Sequence, residues 1–192
     1  VAQIATENKD TILSTGLCSL EEIDSAVDLM ARQGLDVKRK LTLLACNTAY
    51  PTPAEDVNLL AMNTLRSKYG CAVGFSDHSN NKIAAITAMG LGCRVIERHI
   101  TLSKKMKGPD HSASDNPEQF KNYVMSIRNN ELILGNFKKK IQKEEIEMYK
   151  VSRKGIYYLK DLKKGKKVSF KNLFLRRPWG GLSIFDIKKI LK

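Results

Sequence analysis

Two histidines stand where short apolar runs give way to loops. His78 closes Gly74-Phe75-Ser76-Asp77-His78, and His99 closes Arg94-Val95-Ile96-Glu97-Arg98-His99. A Gly-Pro loop with a buried-looking acid, Gly108-Pro109-Asp110-His111, follows closely. Imidazole serves as a proton shuttle near neutral pH and is the commonest metal ligand. A lone strand-end histidine is more often a hydrogen-bonded structural residue. Two on consecutive strands, facing one rim, set a divalent-metal site beside that reading. With water completing its coordination, such a site would act as a Lewis acid on a carbonyl oxygen, unlike a closed structural zinc site. Ser14-Thr15-Gly16 is either a tight turn into a helix or, through hydroxyls and amides beside a helix N-terminus, a seat for phosphate. Asp110 either caps a turn or accepts hydroxyl hydrogens from a polyol.

The elements that must position these groups follow a repeated unit over residues 1–136. Thr11-Ile12-Leu13-Ser14 is a short apolar run, and Ser19-Leu20-Glu21-Glu22 is a capping box that opens an amphipathic helix ending at Gly34. Leu41 to Asn47 forms the second run. Thr52-Pro53-Ala54-Glu55 again has the form of a capping box, with proline at the first helical position, and predicts a helix carrying Val57, Leu60, Ala61 and Leu65. The third run, Cys71 to His78, precedes a helix over Lys82 to Leu91. The fourth, Cys93 to Ile100, precedes a loop and a helix from Asn116-Pro117-Glu118 to about Leu134. Alternating runs and helices imply right-handed crossovers and a parallel sheet. The near-continuous apolarity of Leu41 to Cys46 implies a strand covered on both faces. Four units match half of an eight-unit barrel or most of a small doubly wound sheet, and periodicity leaves both open. Both architectures place ligands at strand carboxyl ends, where Ser14, Asn47-Thr48, Ser76-Asp77-His78 and His99 all fall.

The formal charge of +13 is unevenly spread. Residues 1–136 balance 15 Lys and Arg against 15 Asp and Glu, so the whole excess lies in 137–192, with 18 against 5. That shift marks a domain boundary, and the polar stretch 137–150 reads as a linker to a small domain of short strands over 151–192. The lysine runs are mostly separated from aromatics and carry no recognition-helix pattern, which favours a solvated basic face over nucleic-acid binding. The isolated Cys18, Cys46, Cys71 and Cys93 suit a reduced, cytoplasmic chain with small buried thiols. No apolar stretch approaches the roughly 20 residues of a membrane span, and the first residues lack a secretory signal.

Five segments in order, Leu13-Ser14-Thr15-Gly16, Cys46-Asn47-Thr48-Ala49-Tyr50-Pro51-Thr52-Pro53, Gly74-Phe75-Ser76-Asp77-His78, Val95-Ile96-Glu97-Arg98-His99 and Gly108-Pro109-Asp110-His111, resemble the sialic acid synthase family, including its legionaminate-forming relatives. The tail, with Leu159-Lys160-Asp161-Leu162 and Leu175-Arg176-Arg177-Pro178, resembles the start of that family's antifreeze-like (SAF) domain. The resemblance implies an α/β fold: the C-terminal half of a parallel (β/α)8 TIM-type barrel over 1–136, then a partial SAF domain.

The same resemblance implies a phosphoenolpyruvate-dependent carbon–carbon bond-forming transferase. It would condense phosphoenolpyruvate with N-acetylmannosamine or a related amino sugar, giving a nine-carbon 2-keto sugar acid and phosphate. His78 and His99 would hold a divalent metal, Mn2+ or alternatively Mg2+. Ser14, Thr48 and Ser76 match phosphoenolpyruvate contacts, and Tyr50, Asp110 and Arg177 match sugar contacts. Arg177 would be delivered to the partner subunit of a domain-swapped homodimer, its planar fork suited to an acyl or hydroxyl oxygen. The family's catalytic glutamate and phosphate-binding lysine fall on strands outside these residues, so the chain by itself is expected to be an inactive part of the enzyme. Ala45 stands where many relatives have histidine. Another metal-dependent barrel aldolase would keep both histidines without needing Arg177, and a basic nucleic-acid-binding module would depend on 137–192 alone.

Overall fold

β1 (Thr11–Ser14), β2 (Leu41–Cys46), β3 (Ala72–Ser76) and β4 (Ile96–Glu97) pair side by side in sequence order, all parallel, as a half-barrel sheet. The computed structural model describes residues 1–190 and divides them into two units, Val1–Gly135 and the segment from Asn136 onward. Around the first unit's sheet lie α1 (Ala2–Thr6), α2 (Leu20–Arg32), α3 (Val37–Lys40), α4 (Ala61–Tyr69), α5 (Ile83–Gly90) and α6 (Pro117–Leu134). The second unit holds α7 (Glu145–Ser152), an antiparallel pair of β5 (Gly155–Tyr158) and β6 (Leu173–Arg176), and α8 (Ile184–Ile190). α7 therefore begins inside the stretch expected as linker.

Strand alternation sorts the sheet into two faces. Leu41, Leu43 and Ala45 of β2, with Val73 and Phe75 of β3, join Ile23, Val27 and Met30 of α2 and Met62 and Leu65 of α4 in one buried core. Their register partners carry this face across the sheet: Leu13 opposite Leu43, Phe75 opposite Ala45, and Ile96 opposite Phe75. The intervening residues, Ile12 and Ser14, Leu44 and Cys46, Gly74 and Ser76, and Glu97, occupy the other face. Gly74 is required there, because a Cβ would lie 2.5 Å from both Leu44 Cδ2 and the Val95 carbonyl oxygen.

Helix starts follow the sequence in two places and depart from it in one. Ser19 caps α2 through a full capping box with Glu22, and Asn116 caps α6 with Gln119, with Pro117 in the first turn. Thr52 does not cap a helix. Its hydroxyl donates back to the Ala49 carbonyl at 2.7 Å, and its backbone N–H donates to the His78 carbonyl at 2.9 Å. Only a 3₁₀ turn, Ala54–Asp56, follows, and α4 starts at Ala61, leaving Val57 outside it. The expected fourth run contracts to Ile96–Glu97, which pairs with β3 at the edge of the described sheet. Cys71 and Cys93 are buried, and burial raises both thiol pKa values, whereas Cys18 is exposed and Cys46 intermediate. No helix among the described residues is long and apolar enough to cross a membrane.

Candidate active site at the strand ends

Ser76 and Glu97 are register partners at the carboxyl ends of β3 and β4, and the same alternation carries their face on to His78 and His99, each two residues later. The two imidazole rings meet edge to face with centroids 5.0 Å apart. Tyr50, from the loop after β2, packs on both, 4.9 Å from the His78 ring and 4.5 Å from the His99 ring. Burial raises the Tyr50 phenol pKa, so the hydroxyl stays protonated at neutral pH. Asp110 Oδ2 stands 3.7 Å from His99 Nδ1. The sequence suggests a buried acid at 110, but its side chain is more than half exposed because the Gly-Pro loop carries it outward.

Proton bookkeeping assigns the His78 ring. Its Nδ1 lies 2.8 Å from the Asn47 carbonyl oxygen, which only accepts, so Nδ1 carries a hydrogen. The single Ser76 hydroxyl proton goes to Glu97 Oε1 at 2.7 Å. Ser76 Oγ is 3.3 Å from His78 Nε2, and in the neutral ring that nitrogen keeps its lone pair. Asn47 also shapes its own loop: its side-chain oxygen accepts from Ala49 N at 2.8 Å and its amide donates to the Asp56 carbonyl at 3.1 Å. A carbonyl hydrogen bond on one imidazole nitrogen, with the other left free, is the usual preparation of a metal-binding histidine.

The other expected residues are placed less tightly. Ser14 is exposed at the end of β1. Thr48 is exposed and lies over Gly16, where an added Cβ would come within 2.7 Å of its methyl. Arg177 is exposed just beyond β6 in the second unit. The first unit therefore brings His78, His99, Tyr50, Asp110 and Ser76 together, with Ser14 and Thr48 on neighbouring strand ends.

Glu97 and the groups behind the rim were not singled out by sequence reasoning. Arg98, Asp77, Asp115 and Tyr123 form a buried ionic cluster on the helix side of the same strand ends. The available signal was Glu97-Arg98-His99: a charged triple at a strand end must place its middle member on the opposite face. The loop after His99 closes on itself. Asp115 N donates to the His99 carbonyl at 3.1 Å, and Thr101 N donates to the Asp115 carbonyl at 2.9 Å. Within it, His111 Nδ1 lies 2.7 Å from Thr101 Oγ1. A hollow of about 500 Å³ lined by residues including Thr52, Val57, Ser79 and Ile83 opens nearby but touches neither His78 nor His99.

Among the described residues, no group of three or more His, Cys, Asp and Glu side chains gathers as a metal cage. The donor set fits an open site instead: two imidazoles at a rim, one with a free Nε2 lone pair, leaving most of the coordination sphere to water and substrate oxygens.

Residues 1–139 match the NeuB family profile. The chain is 39% identical over 189 residues to the N,N'-diacetyllegionaminic acid synthase of Campylobacter jejuni, covering 98% of this chain and 56% of that protein. It is 39% identical over 188 residues to the synthase of the same name from Legionella pneumophila, covering 97% of this chain and 53% of that protein. Among solved structures, the N-acetylneuraminic acid (sialic acid) synthetase of Leptospira borgpetersenii, in complex with citrate, superposes with a TM-score of 0.66 at 32% identity, over 77% of this chain and 50% of that one. The chain spans about half the length of the curated relatives it matches.

Proposed function

Because the chain belongs to the NeuB family, we propose that it is part of a synthase that joins phosphoenolpyruvate to an open-chain amino sugar. In this reading the enol carbon of phosphoenolpyruvate attacks the aldehyde carbon of N-acetylmannosamine or a related sugar, and the aldehyde oxygen gains a proton to become a hydroxyl. Water adds to the carbon that bears the phosphate ester, and phosphate departs, leaving a nine-carbon 2-keto sugar acid. Ser14, Thr48 and Ser76 bind phosphoenolpyruvate at the strand ends. Asp110 and Tyr50 hold sugar hydroxyls, with Tyr50 also fixing the faces of the two imidazoles. His78 and His99 hold a divalent ion, Mn2+ or Mg2+, whose contribution when bound is to withdraw electron density from the aldehyde oxygen.

The second unit is proposed to be part of an antifreeze-like domain that carries Arg177 to the sugar site of a partner subunit in a domain-swapped homodimer. The setting is proposed to be the cytoplasm. The observation that carries the reading is the His78–His99 pair, with ring centroids 5.0 Å apart beside Tyr50 and Asp110 at adjacent strand ends.

The test is Mn2+ binding, followed through water-proton relaxation. The wild-type chain should bind one ion, and His78→Ala and His99→Ala should each remove it. Equal binding in all three proteins would overturn the metal assignment. Joined to the upstream half of a relative, the chain should release phosphate from phosphoenolpyruvate only when an amino sugar is supplied, and sugar-independent release would overturn the condensation.

A further inference from the structure

Behind the rim, one side chain ties together the segments that carry His78, His99 and the neck of the Asp110 loop. Arg98 lies between Glu97 and His99 but on the opposite face, and its side chain is only 5% exposed. Its guanidinium meets Asp115 through two parallel bonds, Nε to Oδ2 at 3.0 Å and Nη2 to Oδ1 at 3.1 Å. Nη1 lies 3.4 Å from Asp77 Oδ2 and donates to the backbone carbonyls of Asp77 and Ser79, the two residues that flank His78. Tyr123 of α6 completes the cluster: its hydroxyl donates to Asp77 Oδ2 at 2.7 Å, and its ring centroid lies 5.0 Å from the guanidinium carbon.

The geometry points to Arg98 as the positioning residue of the histidine rim: one planar guanidinium fixes the spacing of His78, His99 and the neck of the loop that carries Asp110. The inference rests on the reading of His78 and His99 as the working rim. The donors of one rigid fork, anchored at residue 98, are shared between two other chain segments, 77–79 and 115, a task that the single ammonium of lysine does not match. Burying an arginine with two carboxylates is not an efficient way to stabilise a fold, since apolar side chains of similar volume serve as well or better. What the cluster supplies here is geometry. The carbonyls on both sides of His78 are held by the residue next to His99, so neither ring shifts without the other. Burial works against the charge of Arg98, but the Asp115 hydrogen bonds and the two carboxylates outweigh it and hold the guanidinium ionised.

The experiment compares the wild-type chain with Arg98→Lys and Tyr123→Phe, using two readouts. The first is the imidazole 1H–15N spectrum of the metal-free chain, which has only three histidines and is assigned with His78→Ala and His99→Ala. The second is the Mn2+ dissociation constant. Arg98→Lys should move the His78 and His99 signals together and weaken Mn2+ about tenfold or more, the scale of losing a partner behind a metal ligand. Tyr123→Phe, which removes only the bond to Asp77, should move both signals by less and weaken Mn2+ about threefold, a smaller loss than removal of a direct partner of a metal ligand causes.

A merely structural role would lower the melting temperature of Arg98→Lys and leave both readouts at wild-type values in the folded protein, which would overturn the inference. If Arg98→Lys does not fold, wild-type values of both readouts in Tyr123→Phe overturn it instead. If the wild-type chain binds Mn2+ no better than His99→Ala, the metal reading fails separately, and the imidazole signals still decide the role of Arg98.

Discussion

Gly74→Ala should destabilise the first unit by about 2–3 kcal/mol, and the figure follows from what surrounds the missing methyl. An added Cβ would lie 2.5 Å from Leu44 Cδ2 and 2.5 Å from the Val95 carbonyl oxygen, with Val95 Cβ at 3.0 Å. Carbon contacts are comfortable at about 3.5–4.0 Å, so the neighbours must retreat by roughly 1 Å. Leu44 is 1% exposed, so its side chain must move within the packed interior. The Val95 carbonyl accepts from Phe75 N at 2.9 Å, and its retreat weakens that strand bond. Overpacking of this kind costs about 1–3 kcal/mol and a weakened buried hydrogen bond about 1 kcal/mol, while alanine returns roughly 0.5–1 kcal/mol by restricting the unfolded chain. For a chain of this length the expected fall in melting temperature is about 5–10 °C. Urea unfolding followed by far-UV circular dichroism is the suitable assay. The single tryptophan, Trp179, lies in the segment from Asn136 onward, and its fluorescence reports on the other unit. A loss below about 0.5 kcal/mol, or a gain, would refute the close-approach argument.

Ser19→Ala should cost about 1 kcal/mol, because the Ser19 hydroxyl accepts from Glu22 N at 3.3 Å and closes the capping box. Thermal melting reads it, and an unchanged midpoint would show that the box adds nothing. Asp24 has its carboxyl pKa lowered by Lys68, 2.7 Å away, and by the Tyr69 hydroxyl. Its stabilisation is complete above the ordinary carboxylate pKa of about 3.9 and is lost as pH falls through the lowered folded value. The melting-temperature gap between wild type and Asp24→Asn should therefore be steady near neutrality and close on acidification below about pH 4. A gap that persists unchanged to the acid limit of folding would contradict the assignment.

Much of the scaffold was legible because local signals coincide with long-range ones. Ser19 and Glu22, or Asn116 and Pro117, mark helix starts through groups that bond within one turn, so a reader of the chain sees both partners. The parallel sheet followed from continuous apolar runs between such helices, whereas the choice of a half-barrel over a doubly wound sheet followed only from the family resemblance. Thr52 misled because its short-range pattern is that of a cap, while its backbone N–H is taken by the His78 carbonyl, a partner on another strand end. The convergence of His78 and His99 was legible from their common place after adjacent strands. The Arg98 cluster was not, since Asp77 and Tyr123 are separated by 46 positions and only the fold brings them within 2.7 Å. Glu97 was missed for a related reason: its bond to Ser76 depends on the β3–β4 register, which no local pattern states.

The two backbone bonds at the neck of the loop after His99 have a consequence for how this protein tolerates changes in length. Because Asp115 N reaches the His99 carbonyl and Thr101 N reaches the Asp115 carbonyl, residues 102–114 enter and leave the barrel edge at a single point. Insertions or deletions in that span are absorbed within the excursion and leave the strand ends where they are. One extra residue between Ile96 and His99 is a different matter. The two-residue period would exchange the faces, turning Arg98 towards the rim and a histidine into the buried ionic pocket, so the number of residues in this stretch is fixed.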